Sequence, residues 1–413
     1  MDSLATAEAQ QPIDIAEALS LPDLRWEERL LARMLKDVRF GRMHLTLPTG
    51  RSFLVEGVEP GPACTIRIKT NKLLSRVIRG GDLGLAEGFI AREWETDDLS
   101  AFLRFGIANE AHLQATTRPS TFVRLICRIA HTLNSNTRRG SRRNIAAHYD
   151  LGNSFYRLWL DETMTYSAAV FEDMNEDLKD AQVRKYRRLA DKLDLKPGDR
   201  VLEIGCGWGG FAEIAATEYG CNVLCLTLSR EQAAFAENRM AEAGVTDQVE
   251  IRLQDYRDVT GTFDAVASIE MFEAVGEAYW PVYMQTLRDR LKPGGKAALQ
   301  IITIDDEAFE DYRKTPDFIQ RYIFPGGMLP PPGRFEREAS AAGLRVTDSF
   351  FFGKSYAETL RRWDEAFRAR WQIIRPLGFD DRFYRMWRYY FCYCEVGFDA
   401  GRIDVGHFVI EHA

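Results

Sequence analysis

The 413-residue chain contains no run of about 18 or more apolar residues, so nothing in it reads as a membrane-spanning helix. Its N-terminus, MDSLATAEAQQPIDIAEALS, carries acids and lacks a positively charged start ahead of an apolar stretch, which excludes a secretory signal. A basic excess is also missing. There are 54 Lys and Arg against 61 Asp and Glu, a net charge of -7, and nucleic acid is excluded as a partner because phosphate binding needs positive charge. The seven cysteines (Cys64, Cys127, Cys206, Cys221, Cys225, Cys392, Cys394) are odd in number and scattered among apolar residues, and read as reduced thiols of a cytoplasmic protein. Cys392 and Cys394 form a CxC with no second pair or histidine at zinc spacing, so no metal is expected. Internal repeats and low-complexity tracts are absent.

With 46% hydrophobic and 28% charged residues, the chain has the composition of a globular protein of two or three domains. Residues 1–21 are Ala/Gln/Glu-rich and expected to be a flexible N-terminus. Residues 22–112 read as a small α+β module. RMHLTLPTGRSFLVEG alternates about Pro48-Thr49-Gly50 as hairpin strands, CTIRIKT is a further strand, and NKLLSRVIRGGDLGLAEGFIAREW is helical with a break at Gly80-Gly81. Residues 113–147 form a basic connector containing Arg124, Arg128 and the group Arg138, Arg139, Arg142 and Arg143. The connector is either a solvated linker or a contact for anionic lipid head groups. Residues 148–413 form the largest domain. Here RVLEIG, NVLCLTL, VEIRL, FDAVASI and KAALQIITI alternate with amphipathic stretches, which specifies an α/β domain with a parallel sheet and helices on both faces. Two aromatic-rich helices, YAETLRRWDEAFRARW and FDDRFYRMWRYYFCYCEVGF, and a last strand, HFVIEH, complete it.

The strongest motif is Val201-Leu202-Glu203-Ile204-Gly205-Cys206-Gly207-Trp208-Gly209-Gly210. An apolar strand runs into a glycine turn that opens a helix, and such glycines let the backbone approach a ligand where the strands of an open sheet end. A dinucleotide site would carry an acid at the end of the second strand. That strand instead ends Thr227-Leu228-Ser229, with Gln232 one turn into the next helix. After the third strand come Asp255 and Tyr256, a carboxylate for an exocyclic amine and a ring for the face of an adenine. S-adenosylmethionine suits this set better than NAD.

Taken together, VLEIGCGWGG, LTLSREQ, QDYRD, MFEAVG and RYIFPGGMLP resemble the cyclopropane-fatty-acyl-phospholipid synthases, relatives of the mycolic-acid cyclopropane synthases. AAHYDLGNSFYRLWLDETMTYS and GDLGLAEGFIAREWETDDL extend the resemblance over nearly the whole chain after residue 22. It implies a class I methyltransferase (Rossmann-like) sheet with a small N-terminal α+β domain and helical additions. It also implies transfer of the sulfonium methyl to a cis double bond of a phospholipid acyl chain. By position, Tyr166, Ser167, Glu203, Gly205, Gly207, Gly209, Thr227, Ser229, Gln232, Asp255 and Tyr256 would contact the cofactor. The family's bicarbonate base would be held by Glu273, the backbone of Ile302, Tyr356, and the positions of Ala168 and Gln300. The chain departs from the family pattern in three places: Ala168 stands for a cysteine, Gln300 for a histidine and Ala274 for a histidine. An alanine still offers a backbone N–H and a glutamine still offers a side-chain donor.

Attack of an alkene on the methyl leaves a carbocation that must be kept from water. Loss of a proton from the new methyl closes a cyclopropane, whereas loss from a neighbouring carbon gives a methyl-branched alkene. Helical aromatics Phe383, Tyr384, Trp387, Tyr389, Tyr390, Phe391 and Tyr393 either line an acyl tunnel or form core. The expected partner is a phospholipid bilayer with unsaturated chains, met peripherally at the inner face of the membrane, and a homodimer is admitted. The competing readings are a methyltransferase of a soluble small molecule and a non-catalytic lipid-binding relative.

Overall fold

Strand after strand of the catalytic region sends neighbouring side chains to opposite faces, as the two-residue period of a β-strand requires. Leu202, Leu224, Val266 and Leu299 pack on one side with Trp280, Tyr283 and Leu287. Val201, Val223, Ala265 and Ala298 pack on the other with Leu189, Phe211 and Ala215. Both faces are therefore dry, which is why these segments read as nearly continuous apolar runs. The structure is a computed structural model and describes residues 12–117 and 151–413. The arginine-rich part of the connector, with Arg124, Arg128, Arg138, Arg139, Arg142 and Arg143, lies outside the described residues, as do residues 1–11 and His148.

The chain divides into two compact units, Met1–Leu125 with Asp380–Val396, and Ile126–Phe379 with Gly397–Ala413. In the first, β1 (Ile13–Asp14), β2 (Phe40–Thr46), β3 (Ser52–Glu56), β4 (Glu59–Ile68) and β5 (Trp94–Glu95) form a sheet of order β1-β3-β2-β4-β5. The β2–β3 hairpin forms about the expected turn. The helix Lys72–Ile90 is interrupted at Gly81, whose φ of 57° and ψ of -134° break the helical ladder where the glycine pair was expected to do so. Two boundaries differ from expectation. Residues 12–21 are ordered, because Ile13 and Asp14 pair with Phe53 and Leu54 and the next turn buries Ile15 and Ala18. Most of the helix Asp381–Asp399 belongs to this first unit and not to the catalytic one. Arg385 Nη2 donates to the Trp94 carbonyl at 2.9 Å and Arg104 Nη2 meets Glu395 at 2.6 Å, long-range polar contacts that the sequence pattern does not announce. The aromatic residues of that helix go with it, and Trp387, Tyr389, Tyr390 and Phe391 are buried.

In the second unit, β6 (Arg200–Ile204), β7 (Asn222–Thr227), β8 (Val249–Leu253), β9 (Phe263–Ile269), β10 (Leu291–Ile304), β11 (Leu344–Phe351) and β12 (Ile403–His412) lie in the order β11-β12-β10-β9-β6-β7-β8. The five strands read from the sequence pair in parallel. The sheet as a whole is mixed, because β12 runs antiparallel between β10 and β11. Strand β11 escaped the sequence reading: LRVTDSFF is an edge strand with a half-buried, polar-interrupted alternation. Chain direction reverses its lateral progress at β6, which has β7 on one side and β9 on the other, and the crevice at that switch point is where an open sheet receives its ligand. Among the described residues, no helix is long and apolar enough to cross a membrane.

Candidate active site

Strand β6 delivers the glycine turn to the switch point. Gly205, Gly207 and Gly209 have φ of 82°, 53° and 82°, the left-handed region that glycine alone enters at little steric cost. The N–H groups of Gly205 and Cys206 both donate to the Leu226 carbonyl at 3.0 Å, which ties the turn to the end of β7. A side chain at Gly205 would press its Cβ to 2.9 Å from Met271 Cγ, whereas one at Gly207 would meet nothing within 4 Å. The turn is packed from behind and open in front. Gly209 caps the helix Gly210–Thr217.

The second and third strands supply the side chains beside the turn. Thr227 Oγ1 donates to Gln232 Oε1 at 2.9 Å and accepts from the Ser229 N–H at 3.1 Å, while Ser229 Oγ caps the next helix by accepting from the Gln232 N–H at 3.3 Å. Tyr256 is buried with its hydroxyl unpartnered. Asp255, read as a carboxylate for an exocyclic amine, also accepts from Arg257, from Nε at 2.8 Å and Nη2 at 2.6 Å. Glu203, buried within β6, accepts from the Cys225 thiol at 3.5 Å, and loss of hydration pushes its carboxyl up to about 8.

A second cluster gathers where β9 and β10 end. Glu270, the first residue past β9, has a φ of 49°, strained for a side chain of this size. Its N–H is held by the Gln300 carbonyl at 2.9 Å. Its carboxylate accepts three hydrogen bonds: from the Ala168 N–H at 2.8 Å and Gln300 Nε2 at 2.7 Å on Oε1, and from the Tyr356 hydroxyl at 2.7 Å on Oε2. Glu273 Oε1 accepts from the Ile302 N–H, while Oε2 has no partner. Burial, and then the charge of Glu270, push Glu273 up to about 8.

Each donor is itself fixed. The segment carrying Ala168 is fastened to the helix Gly353–Ile374 through Ala169 N–H to Thr359 Oγ1 at 3.1 Å and Phe171 N–H to Ser355 Oγ at 3.2 Å. Gln300 Oε1 meets Nε2 of His407, its partner across the β10–β12 ladder, at 2.9 Å. With the Gln300 amide donating to Glu270, His407 must carry its proton on Nε2 and donate. Burial holds that imidazole well below its ordinary pKa, so it is neutral. Lys185 is fully buried and donates to Ser167 Oγ at 2.6 Å. Desolvation pulls it down to about 7, against the attraction of Glu270 and Asp161. Tyr166 packs beside Tyr156, Trp159 and Trp363, with ring centroids 5.5, 5.5 and 5.2 Å away.

Ala168, Gln300 and Tyr356 therefore meet on Glu270, and Glu273 meets Ile302. The reading missed Glu270, Lys185 and His407. One signal was available for Glu270, since an acid just past a parallel strand sits where functional side chains of such sheets collect. Lys185 and His407 are isolated polar residues in an amphipathic helix and a last strand, and nothing local marks them.

The sheet with its switch-point glycine turn is that of a class I S-adenosylmethionine-dependent methyltransferase. The solved mycolic acid cyclopropane synthase complexed with SAH and CTAB superposes with a TM-score of 0.62 at 32% identity, covering 65% of this chain and 97% of that one. Coclaurine N-methyltransferase, at 18% identity, shares the fold with a TM-score of 0.61. A family model described as mycolic acid cyclopropane synthetase matches residues 136–408, and the chain belongs to that family. It is 39% identical to the tuberculostearic acid methyltransferase of Mycobacterium tuberculosis over 82% of this chain and 80% of that protein. It is 36% identical to the cyclopropane-fatty-acyl-phospholipid synthase of Escherichia coli over 84% and 87%.

Proposed function

We propose that the protein transfers the methyl of S-adenosylmethionine to the cis double bond of an unsaturated phospholipid acyl chain, giving a cyclopropane or a methyl-branched chain. The observation that carries this reading is the juxtaposition at neighbouring strand ends of an open glycine turn and a carboxylate cluster bonded by Tyr356, whose ring packs on Trp363 and Phe398. The similarity to two lipid-modifying relatives along most of their length supports it.

The residues present fit the cofactor. Gly207 leaves room for close approach, and the buried Tyr256 hydroxyl lacks a partner. On this reading Gly205, Gly207 and Gly209 line the cofactor, Thr227, Ser229 and Gln232 hold the end of β7 against it, and Tyr166 and Ser167 close the site toward the acyl chain. Glu203 contributes from within β6. Asp255 acts through its Arg257-bound side chain, orienting the loop that presents Tyr256. When bound, the cofactor supplies an electrophilic methyl on a sulfonium. The rings of Tyr166 and Trp363 exclude water and present π faces to positive charge on the acyl carbon. The resemblance also implied a bicarbonate base. Here the N–H of Ala168, the amide of Gln300 and the hydroxyl of Tyr356 are already engaged by Glu270, so these residues do not fit a second oxyanion. We place the protein peripherally at the cytoplasmic face of a phospholipid bilayer, where such chains are found.

The test is incubation of the full chain with S-adenosylmethionine and vesicles of monounsaturated phospholipid, followed by mass spectrometry. The expected product is one CH2 heavier, and hydrogenation separates a ring from a branched alkene of equal mass. Vesicles returned unmodified, with a soluble amine or phenol methylated instead, would overturn the lipid reading.

A further inference from the structure

We propose that Glu270 is the general base of this enzyme, a chain carboxylate seated on the donors that would otherwise hold a free oxyanion. The inference rests on the lipid methyl-transfer reading above.

A carboxylate that accepts from a backbone N–H, an amide and a phenol within 2.7–2.8 Å is held as an oxyanion would be, in a fixed orientation. The backbone enters the left-handed region at Glu270, a conformation costing about 1–3 kcal/mol that persists only where the surroundings impose it. Such strain collects at functional sites, and here it turns the side chain of the first residue past β9 onto the three donors. His407 orients the Gln300 amide so that its NH2 faces the carboxylate. Lys185, buried nearby on Ser167, supplies the compensating charge. Glu270 is itself only half-buried, which leaves it reachable, whereas Glu203 is sealed in β6. Burial raises the Glu270 carboxyl above its ordinary range, toward the proton affinity a base needs near neutral pH.

The step balances. After methyl addition, positive charge lies on an acyl carbon. A C–H bond of the new methyl, or of the adjacent chain carbon, breaks as a Glu270 Oε–H bond forms. The released electron pair closes the ring or forms a double bond. The proton then passes from Glu270 to solvent and the carboxylate is regenerated. Lys185, Gln300 and His407 are positioning residues for it.

The experiment uses the full chain, monounsaturated phospholipid vesicles and S-adenosylmethionine, in CO2-free buffer with and without added bicarbonate. Wild-type turnover should stay the same within about twofold. Glu270→Gly, which suits the positive φ and frees the donors, should lose about a hundredfold or more without bicarbonate and regain at least about tenfold with it, while cofactor binding by calorimetry is retained. Wild-type activity falling about tenfold on bicarbonate removal would overturn the proposal, as would Glu270→Gly and Glu270→Gln turning over at the wild-type rate. If Glu270→Gly does not bind the cofactor, Lys185→Met/Glu270→Gln, which removes both charges, is judged against wild type by turnover in the same way. A wild-type chain that makes no product in either buffer refutes the lipid reading itself, and the base assignment with it.

Discussion

The glycine turn at the end of β6 and the carboxylate cluster at the end of the adjacent β9 are built in opposite ways. The turn is contiguous: Gly205 to Gly210, closed onto the end of β7, with backbone conformations that particular residue types must supply. The cluster is assembled from Ala168, Lys185, Glu270, Gln300, Tyr356 and His407, residues that only the fold brings together. The turn depends on steric permission, and the cluster depends on balanced charge in a place where water is scarce. The two should therefore fail differently when altered.

The largest effect is expected from the charge balance. Lys185→Met leaves Asp161 and Glu270 without their buried counter-charge and should lower the stability of the catalytic unit by about 3–5 kcal/mol, read by chemical denaturation. A loss no larger than that of an exposed lysine would show that the pair is already neutral in the folded protein. The turn should respond in binding and keep its stability. Gly205→Ala combines an unfavourable φ with a contact on Met271; a turn that relaxes in the free protein avoids this strain but must take it up again to bind, so about 1–3 kcal/mol corresponds to roughly five- to 150-fold weaker S-adenosylmethionine binding by calorimetry, with little change in melting temperature. Wild-type affinity in that variant would mean that the turn is more pliant than its packing implies.

The smallest effect concerns pH. Glu203 holds its proton in the folded chain up to about 8 but releases it near 4.5 when unfolded. Its stabilisation is complete below pH 4.5 and declines as pH rises toward 8, by about 1.4 kcal/mol per unit at most. Glu273 acts in the same direction, and Lys185 adds an opposite slope only above about 7. Melting of the cofactor-free protein between these limits should fall with rising pH, and Glu203→Gln should flatten the fall. An unchanged slope in the variant would assign the fall to the other carboxyls that burial raises, Glu270 and Glu273 among them.

Much of this molecule could be read before it was seen. The parallel strands, the break at Gly81 and the glycine turn follow from periodicity and from positions that only glycine fits comfortably. That Ala168, Gln300 and Tyr356 lie near one another, and Glu273 near Ile302, was suggested by resemblance, because the family pattern encodes a spatial arrangement that spacing alone does not; the carboxylate of Glu270 on which the first three meet was not. Other features were not legible. Residues 12–21 are ordered by a strand pairing near residue 53, β11 is an edge strand whose pattern is diluted by polar residues, and the helix from Asp381 leaves the catalytic unit through long-range ion pairs. Asp255 is held by the arginine two residues on, a pairing the sequence reading did not consider.

The sequence by itself determined where the chain turns, which faces of its strands are dry and where a cofactor can approach the backbone, since these are properties of neighbouring residues and their φ, ψ and apolar period. Only the tertiary structure decided which carboxylate receives the converging donors. The energy of a buried charge depends on every group within a few ångströms, and those groups come from segments separated by most of the length of the catalytic unit.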